Sequence, residues 1–234
     1  MNNSNRFTLN KNIGLILYAR MSSKRFPGKV LKKFYKNQNT MELILANLSK
    51  NNFKKNVIVA TTNNPSDKKI VNFCKNKKIK FFTGSNTNVF LRTQKCIKKF
   101  NLRYLVRICA DRPLFDVSLM TNMIKLILKH NYDIVSNAHP RTYPKGLTCE
   151  VAKSKIFTQI KQRILTQNQK EHIFNYFYKS KKYRILNLKK SFKKTFLKKN
   201  FCIDHLKDIS RVRNILKTLD KKNQKINTHN ISRI

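Results

Sequence analysis

The residues best equipped for chemistry begin with Arg20-Met21-Ser22-Ser23-Lys24-Arg25-Phe26-Pro27-Gly28-Lys29, directly after a short apolar stretch. Arg20 and Arg25 offer planar guanidiniums that grip phosphate oxygens in pairs. Lys29 adds a compact point charge, and the small residues let backbone N–H groups come close. This is the chemistry of a polyphosphate cradle, although by residue type alone a solvated basic turn fits equally well. A second group is Val106-Arg107-Ile108-Cys109-Ala110-Asp111-Arg112-Pro113-Leu114. Here a carboxylate just past an apolar run could hold Mg²⁺ on a nucleotide's phosphates. The alternative is an aspartate capping the turn that Pro113 opens. Ile203-Asp204 repeats the pattern, as a second metal ligand or, read alone, as the N-cap of the helix that follows. Two acids suffice for Mg²⁺, which keeps several waters and takes its other ligands from phosphates. The last group is Arg141, Tyr143 and Lys145, with Glu150 and the later Glu171-His172. They could line a pocket for a polar or acidic sugar, or belong to a structural loop and a surface helix face.

These groups need a framework to bring them together. Ile13–Tyr18 is an apolar run of strand length. Met41, Ile44, Leu45 and Leu48 repeat at helical spacing, with Asn39 placed to cap and Glu42 three residues on. Strands are expected at 57–60, 80–82, 104–108 and 134–136, and helices from about 66, at 89–100 and at 118–129. This alternation argues an α/β chain with a mostly parallel sheet and helices on both faces. Ligand sites in such sheets lie beyond the carboxyl ends of the strands. The basic loop and residues 61–65, 83–85 and 110–113 would meet there. Neither Gly-x-Gly-x-x-Gly nor a Walker lysine motif is present, which disfavours the dinucleotide and P-loop versions. Further on, strands are expected at 147–151 and 183–188, and helices near 153–164, 170–179 and 206–219, with a frayed tail from 220.

Composition sets the outer bounds. The 234 residues suffice for one substantial core. Lys and Arg number 52 against 10 Asp and Glu, a formal charge of +42, which by itself suggests a nucleic-acid partner. The excess is mainly Lys, spread along the whole chain, and Asn, Ile and Phe are over-used with it. These residues share A/T-rich codons, so compositional drift accounts for the bias and nucleic acid is not the expected partner. The five cysteines (Cys74, Cys96, Cys109, Cys149, Cys202) are far apart, which fits reduced thiols and neither a disulfide framework nor a zinc site. No run of about 18 apolar residues occurs, so no membrane span is expected. Met1-Asn2-Asn3-Ser4-Asn5-Arg6 is polar and reads as a disordered lead, and the expected location is cytoplasmic. The scarce Gly28, Gly84 and Gly146 fall in expected loops and mark demanding backbone.

Read in order, the segments resemble the cytidylyltransferase family that includes CMP-KDO synthetases, and more closely its spore coat polysaccharide biosynthesis protein F group. The opening pattern of that group, A-R-M-x-S-x-R-x-P-G-K-V-L, fits residues 19–31 throughout. The match continues through Ala60-Thr61-Thr62-Asn63-Asn64-Pro65, Thr83-Gly84-Ser85, Asp111-Arg112-Pro113-Leu114, Arg141-Thr142-Tyr143-Pro144-Lys145-Gly146-Leu147, Glu150, Glu171-His172 and Asp204. The chain departs from the group at Ser22 and Ala110, where glycine is usual, and at Arg112, where a small residue is usual.

The resemblance implies a Rossmann-like nucleotidyltransferase fold over residues 13–219. It would comprise a nucleotide-binding part (13–136), a sugar-binding and dimerisation part (137–200), and a closing strand and helix (201–219) carrying a metal ligand. It also implies a reaction: CMP passes from Mg²⁺-bound CTP to a sugar, a sugar acid by preference, and pyrophosphate leaves, in the service of surface polysaccharide. Arg20, Arg25 and Lys29 would be catalytic. Ala19, Arg20, Met21, Ser22, Ser23, Thr61, Thr83, Gly84, Ser85 and Asp111 would bind nucleotide. Arg141, Tyr143, Lys145, Glu150, Glu171 and His172 would bind sugar, and Asp111 with Asp204 the metal. Relatives often pair, so a homodimer is compatible. The competing expectations are a degenerate relative that binds nucleotide without turnover and a basic nucleic-acid-binding module.

Overall fold

In the computed structural model, which describes residue 9 and residues 12–234, strand β1 (Ile13–Tyr18) runs through the centre of a seven-stranded sheet. The expected lead over 1–12 lies, but for Leu9 and Asn12, outside the described residues. In chain order follow α1 (Thr40–Lys50), β2 (Val57–Thr62), α2 (Lys68–Asn76), β3 (Lys80–Gly84), α3 (Val89–Lys99), β4 (Tyr104–Cys109) and α4 (Val117–His130). The second half holds β5 (Ile134–Ser136), β6 (Glu150–Lys153), α5 (Ser154–Thr158), α6 (Gln167–Glu171), α7 (Asn175–Tyr178), β7 (Ile185–Asn187), α8 (Lys194–Leu197), α9 (Asp208–Lys221) and α10 (Thr228–Ile231).

The strand order is β3-β2-β1-β4-β6-β5-β7. Strand β6 pairs antiparallel with both neighbours and the other pairings are parallel, so the sheet is mostly parallel, as expected. Both faces are covered, which is why β1 reads as continuous apolar sequence and does not alternate. Ile13, Leu15 and Leu17 pack with Met41 and Ile44 of α1, Ile70 of α2 and Met120 of α4. Ile16, Ile58 and Ala60 point the other way, toward Phe90 of α3, Phe157 of α5 and Phe177 of α7. A third cluster joins Phe196, Phe201, Ile203 and Val212, and seats the closing segment against Leu114 and Leu147. Helix α1 begins with the expected capping box: the Asn39 side chain accepts from Glu42 N–H, and Glu42 accepts from Asn39 N–H.

Several expectations change. Residues 201–204 do not form a strand; they are held by single backbone bonds from Phe201 N–H to Lys145 O and from Ile203 N–H to Asp111 O. The helix expected over 153–164 is α5 followed by a 3₁₀ turn at Gln162–Ile164, and the one over 170–179 is split into α6 and α7. The tail is not frayed: Ile231 of α10 is buried, and Thr228 N–H donates to the Asp116 carboxylate at 2.7 Å. Asp116 also caps α4 through Leu119 N–H, so one buried acid ties the chain's last helix to its fourth.

Candidate active site

Beyond the carboxyl ends of β1 and β4 lies a cavity of about 280 Å³, walled by Arg20, Arg25, Lys29, Asp111, Glu171 and His172, with Ala19 and Ser23. Strand β1 delivers the basic loop there, and β4 delivers Asp111. The loop doubles back on itself, with Ser23 N–H and Gly28 N–H both donating to Met21 O at 2.9 Å. Gly28 has φ +71°, which its missing Cβ permits. Ser22 and Ala110, the departures from the group's glycines, do not have positive φ, so side chains there strain nothing.

The two expected metal ligands meet at Lys29. Its ammonium is buried, 3.4 Å from Asp111 Oδ2 and 3.6 Å from Asp204 Oδ1, and donates to Ile203 O at 2.6 Å. Asp204 also accepts from Arg25 at 2.8 Å and from Lys145 at 2.6 Å. Burial alone would raise the Asp204 carboxyl. The Lys145 hydrogen bond and charge, with Lys29 and Arg25, instead hold it below the usual range. Asp204 does not cap α9. No side chain does; Asp208, in the first turn, instead holds the segment before the helix, accepting from Asp204 N–H at 2.9 Å and His205 N–H at 2.7 Å. The closing segment can approach this closely because of Gly146, at φ +96°: a Cβ there would lie 2.6 Å from the Phe201 carbonyl carbon.

The fit to Mg²⁺ can be tested on these atoms. Asp111 Oδ1 is buried and has no hydrogen-bond partner, although Oδ2 faces Lys29. A buried carboxylate oxygen left idle is costly unless a ligand completes it. The donors are hard carboxylate oxygens, from Asp111 and Asp204. That pattern suits an ion which takes one or two carboxylates and fills its shell with water and phosphate. The residues fit.

Other expected site residues sit elsewhere. Thr61 is buried and its hydroxyl donates to Asp67, so it has no surface for a nucleotide. Thr83, Gly84 and Ser85 end β3 outside the cavity lining, with Ser85 Oγ accepting from Asn88 N–H. Met21 contributes its backbone N–H, which donates to Asp67, and Ser22 is exposed. Arg141 is exposed outside the cavity lining, and Tyr143 packs edge-on against Phe192 at 5.1 Å beside a separate pocket at Asp116. Glu150 is buried beneath the cavity, accepting from Arg107 at 2.7 Å and from the Tyr178 hydroxyl at 2.7 Å. It therefore orients Arg107 and does not face a sugar. Lys145 is outside the cavity lining and donates to Asp204, whereas Glu171 and His172 do reach the cavity, Glu171 lying 3.8 Å from Arg20.

Residues that sequence reasoning passed over complete the site. Asp67 is fully buried and accepts from Met21 N–H at 2.7 Å, Thr62 N–H at 3.1 Å and both threonine hydroxyls of β2. It clamps the basic loop onto the neighbouring strand. Arg92 and Arg107 border the same cavity. The signal for Asp67 was its rarity: in a chain with 10 acids, a buried one has a job. Arg107 stood inside an apolar strand, which calls for a partner in register, and the β4–β6 pairing sets it opposite Glu150.

The comparisons agree with this geometry. The family model described as Cytidylyltransferase matches residues 14–226. A Methanocaldococcus jannaschii protein, MJ1063, is 31% identical over 165 residues, 70% of this chain and 66% of that protein. Spore coat polysaccharide biosynthesis protein SpsF of Bacillus subtilis is 26% identical over 168 residues, 69% of this chain and 68% of its own length. The chain thus matches about two thirds of the length of these curated relatives. Among solved structures, a cytidylyltransferase from Leptospira borgpetersenii superposes with TM-score 0.80 at 21% identity, covering 91% of this chain and 95% of that one. A CMP-2-keto-3-deoxy-manno-octonic acid synthetase complexed with CTP superposes with TM-score 0.61 at 12% identity, covering 88% and 99%. These likenesses fix the Rossmann-like nucleotidyltransferase fold, and the family match extends over nearly the whole described chain. The chain belongs to the cytidylyltransferase family.

Proposed function

We propose that the protein transfers CMP from CTP to a sugar, a sugar acid being the favoured acceptor, with Mg²⁺ and with release of pyrophosphate, for surface polysaccharide. The observation that carries this reading is the meeting of Asp111 and Asp204 around Lys29 beneath the basic loop, with one Asp111 oxygen idle. Asp111 and Asp204 would hold the ion, which when bound supplies charge neutralisation on the phosphate oxygens. Arg20, Arg25 and Lys29 hold the triphosphate and offset the charge that grows on the departing pyrophosphate. In the free protein Arg25 and Lys145 rest on Asp204; a phosphate chain gives these cations a second acceptor within reach. Glu171 and His172, which line the same cavity beside Arg20, face the acceptor. The acceptor hydroxyl gives its proton to solvent as its oxygen bonds to the α-phosphorus, and the bond from that phosphorus to the α,β-bridging oxygen breaks so that pyrophosphate leaves with the bridging oxygen and its electron pair; catalysis is mainly positioning and electrostatics.

The test mixes purified protein and Mg²⁺ with each nucleoside triphosphate in turn and a panel of sugar acids and sugar phosphates, following pyrophosphate. The expected result is release with CTP and one acceptor class, well above any other triphosphate. Release with another triphosphate in preference to CTP would overturn the nucleotide assignment. CTP binding without turnover across the panel would favour a degenerate relative.

A further inference from the structure

The cavity holds a cation that neither the metal site nor the basic loop accounts for. Arg92, on α3, is 3% exposed yet borders the cavity. Its Nη1 donates to Ser85 O at 2.8 Å, and its Nε is buried with no hydrogen-bond partner. None of the ion pairs among the described residues includes it. The other arginines of this wall are matched: Arg20 has Glu171 and Arg107 has Glu150. Burial pulls the Arg92 guanidinium below the usual arginine range; Tyr18 and Asp67 oppose that shift from a distance, without an ion pair, and the neighbouring Arg20 adds to it. A guanidinium is nevertheless charged at any ordinary pH.

A buried charge with no ion-pair partner is a standing cost, and a ligand that pairs with it relieves that cost. The local chain makes room for this side chain. A Cβ on Gly84 would lie 3.0 Å from Arg92 Cγ and 2.9 Å from Phe82 Cε1, so glycine at the end of β3 leaves a lane for the arginine stem. The Thr83-Gly84-Ser85 motif thus acts on the site through Arg92: glycine clears its path and the Ser85 carbonyl fixes one end of its fork.

We propose that Arg92 binds substrate directly, taking an anionic oxygen of a phosphate or carboxylate group at the wall it shares with Arg20 and Arg107. The proposal rests on the cavity being the substrate site. The alternative is that Arg92 only anchors Ser85, in which case its loss moves stability and leaves anion affinity alone.

Isothermal titration of parent, Arg92→Met and Arg92→Lys separates the two, with inorganic pyrophosphate, Mg²⁺-CTP and 3-deoxy-manno-octulosonic acid as probes and thermal melts alongside. Losing a charge-assisted hydrogen bond predicts roughly ten- to a hundredfold weaker binding of at least one probe by Arg92→Met, with Arg92→Lys intermediate. Loss confined to pyrophosphate and CTP makes the anion a phosphate; loss confined to the sugar acid makes it a carboxylate; either supports the proposal. Affinities for all three probes within about twofold of parent in a folded Arg92→Met overturn it. Should Arg92→Met not fold, the Arg92 Nε–H resonance of the parent is followed by ¹⁵N NMR, and its failure to move with any probe overturns the proposal. Arg92-dependent pyrophosphate binding by a parent that ignores every nucleotide would sink the nucleotidyl-transfer reading and keep the anion site. A parent that binds none of the probes overturns both.

Discussion

Gly146→Ala isolates the device that brings the second carboxylate to the site. Gly146 has φ +96°, and an added Cβ would lie 2.6 Å from the Phe201 carbonyl carbon and 2.8 Å from Cys202 N. Both contacts are backbone, so no side chain can swing aside. Reaching an ordinary contact of 3.4 Å requires the 201–204 segment to withdraw by about 0.8 Å, the difference between 3.4 and 2.6 Å. The left-handed conformation costs a non-glycine residue about 1–2 kcal/mol. Weakening the 2.7 Å bond from Phe201 N–H to Lys145 O adds about 1 kcal/mol. For a chain of this size, a total of roughly 2–3 kcal/mol lowers Tm by roughly 4–12 °C. A shift near 1 Å at a catalytic group costs up to about a hundredfold in rate, and Asp204 travels with the segment. Thermal melts and pyrophosphate release, read side by side, check both figures. Gly28→Ala is the comparator: it is also at positive φ, but the nearest atom to its new Cβ is the flexible Met21 Cε at 3.4 Å, so a smaller loss is expected. A Gly146→Ala protein that melts and turns over like the parent would refute the claim that this close approach positions Asp204.

Other perturbations follow from the same contacts. Asp67→Ala strands Met21 N–H and Thr62 N–H and frees the basic loop, so CTP affinity measured by titration falls at least tenfold and amide exchange at Met21 accelerates, while Asp67→Asn recovers part of both. Glu150→Gln leaves Arg107 buried without its counter-charge and costs about 3–5 kcal/mol in chemical denaturation; adding Arg107→Met returns much of it. The Asp204 carboxyl is held below its usual range by Lys145, Lys29 and Arg25, so its ion pairs stabilise the fold above the ordinary aspartate value and are lost as pH falls through the lowered one. The stability advantage of parent over Asp204→Asn should therefore be full at neutral pH and shrink on acidification, as read by denaturation at stepped pH.

The elements with strong local signals were legible in the sequence. Asn39 and Glu42 announced the start of α1, and the apolar runs at β1, β2 and β4 announced strands buried on both faces. The short helices after β6 were not, because their form is set by packing. Phe157, Phe174 and Phe177, from separate short turns, meet edge-on or tilted in one aromatic cluster. The tail was misjudged because its anchor, Asp116, lies 112 residues away in sequence from Thr228. At the site, Arg20, Arg25, Lys29, Asp111 and Asp204 were candidates by type, and the ordered family resemblance, not type alone, singled them out; the structure brings them to one cavity or its edge. Thr61 and Glu150 looked equally polar, but register turns one toward Asp67 and the other beneath Arg107. Arg92 was hidden among 52 basic residues, and its buried Nε without a hydrogen-bond partner is visible only in three dimensions.

The most direct measurement of the central claim is transfer of label from [α-³²P]CTP to an acceptor by parent and Asp111→Asn, both shown folded by thermal melt. Asp111 and Asp204 both lie close to the Lys29 ammonium, at 3.4 and 3.6 Å, and are the pair proposed to hold the metal–triphosphate. The account predicts Mg²⁺-dependent formation of a labelled CMP-sugar by the parent and a loss of at least about a hundredfold in Asp111→Asn. An Asp111→Asn protein that labels the acceptor at the parent rate would contradict it.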